Sequence, residues 1–138
     1  MLYNEIEEAY YAGINAQNAL NEALYYLEQA KDLGILDITG GKLIISLSKY
    51  KSIEKANKYI DDFIYSMKSF SKELLDVKLQ GNFKIEISNF LRITDIYFDQ
   101  LASDTIVQKK IFDSLKIAQE LKPKVDRIVM KLKELSGI

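Results

Sequence analysis

The sequence predicts an all-α fold: an antiparallel four-helix bundle forming one domain over residues 1–138, with long helices 1, 2 and 4 and a shorter helix 3. Three observations predict it. Apolar residues recur at alternating steps of three and four along four separate stretches, which is one face of an α-helix. One proline and six glycines in 138 residues leave long runs without a helix breaker. Apolar residues at 48 % and charged residues at 28 % give the composition of a folded domain rather than a disordered chain.

The first helix is expected over Leu2–Leu33. Ile6, Ala9, Gly13, Ala16, Leu20, Ala23, Leu27 and Ala30 keep the heptad step throughout. One edge of this stripe is all alanine, and Gly13 falls on the other. Small residues let a second helix approach closely. Glycine costs about 1 kcal/mol of helix propensity relative to alanine, and close packing is its natural offset. The following segment, Leu33–Lys42, carries Gly34 as a helix C-cap and Gly40-Gly41 as turn chemistry. Its leucines and isoleucines have no reason to face water, so it reads as an apolar loop folded over one end of the bundle.

A second helix is expected over Leu43–Val77, with the stripe Ile53, Ala56, Ile60, Phe63, Met67, Phe70, Leu74 and Val77. Its bulky residues complement the alanine edge of the first helix. The third helix follows the break at Leu79–Phe83 and is expected over Ile85–Leu101, around Ile87, Phe90, Leu91, Thr94, Tyr97, Phe98 and Leu101. Lys84–Ser88 alternates like a strand but has no partner nearby. The fourth helix is expected to start near Ser103-Asp104, with Thr105 and Gln108 at capping-box spacing or Asp104 as the cap. Its stripe is Val107, Ile111, Ser114, Ala118, Leu121, Val125, Ile128, Leu132 and Leu135. Pro123 interrupts this run and is expected to kink or divide the helix.

Charge is unevenly spread. Residues 1–40 hold one basic and seven acidic residues; residues 104–138 hold eight basic and five acidic. The asymmetry places the first and last helices side by side. The lysines of the last helix are interleaved with acids, which argues against a nucleic-acid face.

The chain has no cysteine and no histidine. That removes disulfides, thiolate nucleophiles, imidazole bases and the Ser-His-Asp triad, and with them the usual zinc, haem and di-iron sites. The acidic start, Met1–Glu8, lacks the basic and apolar regions of a signal peptide. No apolar run approaches the roughly 20 residues of a membrane span. The expectation is a cytoplasmic protein without membrane insertion, cofactor or metal. Gly40-Gly41-Lys42 is not a phosphate loop, since Leu43 stands where Ser or Thr is needed.

Two groups of side chains stand out. Asp95, Asp99 and Asp104, followed by Gln108, form the one organised polar cluster, and Asp37 lies in the preceding glycine loop. Asp95 and Asp99 are one turn apart, a spacing that suits a hard cation such as Mg²⁺ or Ca²⁺ as well as a solvated helix edge. Among nine tyrosines, Tyr3, Tyr10, Tyr11, Tyr25 and Tyr26 sit on the first helix and are candidates for a partner or homodimer surface.

Two segments resemble an uncharacterised bacterial helical-bundle family. Leu33–Leu43, continuing through Lys49-Tyr50-Lys51-Ser52-Ile53 to Ala56, is similar to that family's W-G-x-W-D-x-x-G-G-G and K-H-S-x-I-D-x-A pattern. Ile85–Leu91, Asp95–Asp99 and Asp104–Ile111 are similar to its I-x-I-x-x-F-L, D-x-x-F-D and D-W-x-V-Q-x-x-I pattern. The likeness covers somewhat more than a third of the chain. Leu33, Leu36 and Thr105 replace tryptophans, Tyr50 a histidine, and Lys42 and Gln100 glycines. The resemblance implies the helical fold and a polar network of Asp37, Lys49, Asp95, Asp99, Asp104 and Gln108, fixing the loop where helices three and four join. It implies no activity.

The functional expectation is a non-enzymatic bundle acting through protein–protein contact or self-association. The alternatives are a bundle holding a small apolar ligand or lipid between helices 1 and 2, and an aspartate-based Mg²⁺- or Ca²⁺-dependent protein.

Overall fold

A computed structural model describes the backbone of residues 2–32 and 47–137, with the side chains of all of these except 2, 3 and 47–50. Four helices follow in order: α1 (Leu2–Asp32), α2 (Leu47–Asp76), α3 (Asn82–Ser103) and α4 (Val107–Ser136). The expected apolar loop with Gly34, Gly40 and Gly41, together with Asp37, lies outside the described residues.

The helices run alternately up and down. Gly13 meets Phe70 of α2 and Val129 of α4, while Tyr26 stacks on Tyr59 and Gln17 bonds Asp126. Position rises along one helix as it falls along the next, which makes the neighbours antiparallel. Phe63 with Phe98 and Phe70 with Phe90 show the same for α2 and α3. The short connections at 77–81 and 104–106 enforce it for the last three helices. In the first of these, Gly81 adopts φ 81°, a left-handed conformation that side chains other than glycine rarely adopt.

The core follows the heptad stripes. Every stripe residue of α1 from Ile6 to Ala30 is buried; of the second stripe, Ile53 is half-buried, Ala56 to Leu74 are buried along α2, and Val77 is buried just past its end. α3 buries Ile87, Phe90, Thr94, Phe98 and Leu101. The Thr94 hydroxyl is satisfied by its own helix, donating to the Leu91 carbonyl at 2.9 Å. α4 buries its predicted stripe from Ile111 to Leu132 and adds Leu115, Ile117 and Val129, but at the two ends of the stripe Val107 is exposed and Leu135 only half-buried.

Helix spacing tracks side-chain size. The alanine edge of α1 brings its backbone close to both α2 and α4 along their length, whereas α3 approaches its neighbours' backbones only sparsely. An ideal Cβ on Gly13 would lie 2.7 Å from Val129 Cγ2 and 3.0 Å from Phe70 Cε1. Glycine is therefore required there by space.

Two expectations for α4 are corrected. Thr105, Gln108 and Asp104 do not cap α4: its N-cap is Ile106, without a side-chain cap bond. Helix α3 runs on to Ser103, so Asp104 becomes its C-cap, donating its N–H to the Leu101 carbonyl. That leaves Thr105 one residue ahead of the cap position. Pro123 does not divide α4, which continues through it to Ser136. Packing of the Leu121, Val125 and Ile128 face on both sides of the proline holds the helix together across the missing N–H.

Candidate functional site

The sparse approach of α3 to α4 opens a groove along one side of the bundle. Its first depression is about 600 Å³, with Phe90, Ile93 and Ile128 among its lining residues and the exposed Ile85 and Pro123 at its walls. A second, of about 490 Å³, continues it past Phe83 and Met130. Pro123 contributes its ring to the wall. Helix α4 has no N–H at that position to offer the Gln119 carbonyl.

Two side-chain straps cross from α3 to α4. The Tyr97 hydroxyl donates to Glu120 near one end. Arg127 Nε donates to Glu86 Oε1 at 2.5 Å between the two depressions. The hydrogen bond to Glu120, reinforced by burial and by the carboxylate's charge, raises the Tyr97 hydroxyl above the ordinary phenol pKa. Between the straps Asn89 and Lys124 stand exposed at the rim. The rim thus carries both signs of charge over an apolar floor.

The α1–α4 side is closed instead. Gln17 donates to Asp126 Oδ1 at 2.9 Å, and Lys122 reaches both Asn21 Oδ1 and Asp126 Oδ2. The first and last helices do lie side by side, as their charges suggest. The contacts that join them are amide-to-charge bonds, and no α1–α4 ion pair occurs among the described residues.

The predicted polar residues separate into two places. Asp95 and Asp99 are exposed and line a shallow depression on the α2–α3 side with Lys68 and Lys72. Asp104 sits at the bundle end with its side chain only 4 % exposed, bonded through Oδ1 to Lys109 Nζ at 2.8 Å. Lys109 also holds Asp113 at 3.0 Å. Gln108 is half-buried nearby in sequence, and Asp37 and the Lys49 side chain lie outside the described residues. Lys109 and Asp113 were missed in the sequence. Their i, i+4 spacing was the available signal, but many solvated helix faces show it.

Burial pushes the Asp113 carboxyl up, but hydrogen bonding with Lys109, Asp104 and Gln100 outweighs it and holds the group below its ordinary range. Hydrogen bonds to Asp104 first, and to Asp113, raise Lys109. The lysine ammonium occupies the place between the two carboxylates. Among the described residues no group of three or more acidic side chains is placed to hold a metal ion.

Of the predicted interface tyrosines, Tyr11 and Tyr25 are more than half exposed. Tyr10 packs edge-on against Tyr11 and Tyr25 edge-on against Tyr26. Tyr26 is engaged within the chain, stacked on Tyr59 with centroids 4.2 Å apart and planes 6° from parallel. Its hydrogen bond to Tyr59 is the main cause of that residue's raised pKa. The Tyr3 side chain lies outside the described residues. Among these, no helix is long and apolar enough to cross a membrane.

No family model, curated protein or solved structure matches the chain.

Proposed function

We propose that this chain is a protein–protein interaction module without catalytic chemistry, and that the α3–α4 face is its docking surface. The observation that carries the reading is the groove itself: an apolar floor, a rim of both charges and an elongated outline. From Glu120 to Glu134 its α4 wall runs about 20 Å at 1.5 Å per residue. Pockets for small molecules enclose most of the ligand's surface. This groove is open along one side, and its length suits three to four turns of an amphipathic helix laid lengthwise, with apolar side chains down and charged ones at the rim. The absence of cysteine and histidine supports the non-enzymatic half of the reading.

A photoreactive residue placed at Lys124, on the groove rim, tests it against the same residue at Glu22 on the outer face of α1. The expected result is a crosslink to an amphipathic helix from position 124 and none from 22. Identical products from both positions, or none from 124, would refute the docking surface.

A further inference from the structure

We propose that Tyr26 and Tyr59 form an oxidative cross-linking site, at which a peroxide-derived one-electron oxidant couples the two rings into a dityrosine that ties α1 to α2. The site lies between α1 and α2, away from the α3–α4 groove. It does not depend on that groove being a docking surface.

Composition narrows the chemistry. The chain has nine tyrosines and no cysteine, histidine or tryptophan. Electron loss therefore falls on tyrosine and methionine. Methionine is oxidised to its sulfoxide and forms no link. Tyrosine gives a phenoxyl radical whose unpaired spin is shared between the oxygen and the Cε carbons beside it. Two such radicals join carbon to carbon only where their Cε atoms meet. Geometry decides which tyrosines couple.

Tyr26 and Tyr59 have that geometry. Their rings are half-buried and stacked, with centroids 4.2 Å apart and planes 6° from parallel. A hydrogen bond joins their hydroxyls. In a stacked pair such a bond needs both hydroxyls at the same end, which sets the flanking Cε carbons side by side. Lys55 stands over the Tyr26 ring at 5.8 Å and Lys58 over the Tyr59 ring at 5.5 Å, which helps to hold the stack. The other tyrosine pairs are edge-on. Tyr10 and Tyr11 meet at 61° with centroids 5.3 Å apart, and Tyr25 and Tyr26 at 87° and 5.1 Å. Tyr65 and Tyr97 contact no other tyrosine ring among the described residues.

Each phenol gives one electron to the oxidant and its hydroxyl proton to water, which reaches both half-buried rings. The two radicals combine into one Cε–Cε bond. The hydrogens on those two carbons then pass to the oxygens as the rings regain aromaticity. Two equivalents of oxidant are consumed, and the chain loses two hydrogen atoms. The link closes a loop of about 30 residues and constrains the unfolded chain as a disulfide of that span would.

The test oxidises the full chain at high dilution with photogenerated tris(bipyridine)ruthenium(III), using persulfate as the terminal electron acceptor. Free tyrosine in a parallel reaction shows that the oxidant is active. The expected product is a monomer lighter by two hydrogens, with dityrosine fluorescence and, after proteolysis, a linked peptide pair joining residues 26 and 59. Its thermal midpoint is expected to rise by about 10 °C, as loop closure of this span implies. Tyr26→Phe and Tyr59→Phe each keep a ring at a half-buried position, and each is expected to lose this product with helicity unchanged. Undiminished dityrosine in either variant would overturn the proposal. So would wild-type links at other tyrosines only, or oxidised wild type without coupling. A 26–59 product that melts at the unmodified midpoint would overturn the tie between the helices.

Discussion

The two flanks of the bundle are built on opposite packing strategies. Around α1, alanines and Gly13 bring three helices nearly into backbone contact, with Phe70 and Val129 closing on the glycine. Around α3, Phe83, Phe90 and Phe98 act as spacers, and the helix stands off far enough to leave a groove. The same stripe periodicity runs through both flanks. Side-chain volume on that stripe decides which side is sealed and which is left able to receive a partner.

The contrast is broken most severely at Phe70, which contacts the α1 glycine and also pairs with Phe90. Phe70→Ala opens a cavity where both flanks meet and is expected to cost about 3–5 kcal/mol in chemical denaturation. Next in size is Gly13→Ala. The added methyl overlaps a β-branched valine and a fixed ring, at about 1–3 kcal/mol, against which alanine regains up to about 1 kcal/mol of helix propensity. A net loss of up to about 2 kcal/mol is expected in the same measurement. An unchanged midpoint would mean that the close approach of α1 is not what holds that flank.

The groove flank responds in the other direction. Pro123→Ala restores the N–H of α4 at an exposed position, so thermal unfolding is expected to shift upward, by about 1 kcal/mol of stability. The same change removes a ring from the groove wall, and Lys124 crosslinking is expected to weaken. Gain of stability with loss of capture would separate what the proline does for binding from what it costs the fold.

The smallest effect is at the α3–α4 turn. The folded pKa of Asp113 is lowered, so its contribution to stability is present above about pH 4 and is lost as pH falls through the folded value. The folded pKa of Lys109 is raised, so its contribution is full below about pH 10.5 and is lost as pH rises through the folded value. Lys109→Met is expected to move the Asp113 carboxyl upward in an NMR titration and to start acid unfolding at higher pH. An unmoved Asp113 would show that the lysine is not what holds it.

The elements themselves were readable in the sequence because burial in a bundle depends on one variable, the heptad position. The α1 stripe from Ile6 to Ala30 is buried residue for residue. The α4 start was misplaced because Ser103, Asp104 and Thr105 all have cap chemistry, and local chemistry cannot tell the end of one helix from the start of the next. Packing of Leu101 extends α3 to Ser103 and converts Asp104 from a predicted N-cap into a C-cap. Asp95 and Asp99 looked like partners of Asp104 by sequence distance. The helix turn sends them to a different side of the bundle, while Asp113, farther along the chain, comes back to it.

Residue order alone made four helices, the apolar face of each, and the lack of imidazole and thiol chemistry legible. Those properties follow from residue type and periodicity alone. That α1 is sealed between α2 and α4 while α3 stands off emerges from how the helices pack. Spacing between helices is set by the volumes that meet across an interface, and a single stripe does not reveal what it will meet. The groove and its Tyr97 and Arg127 straps follow from that spacing.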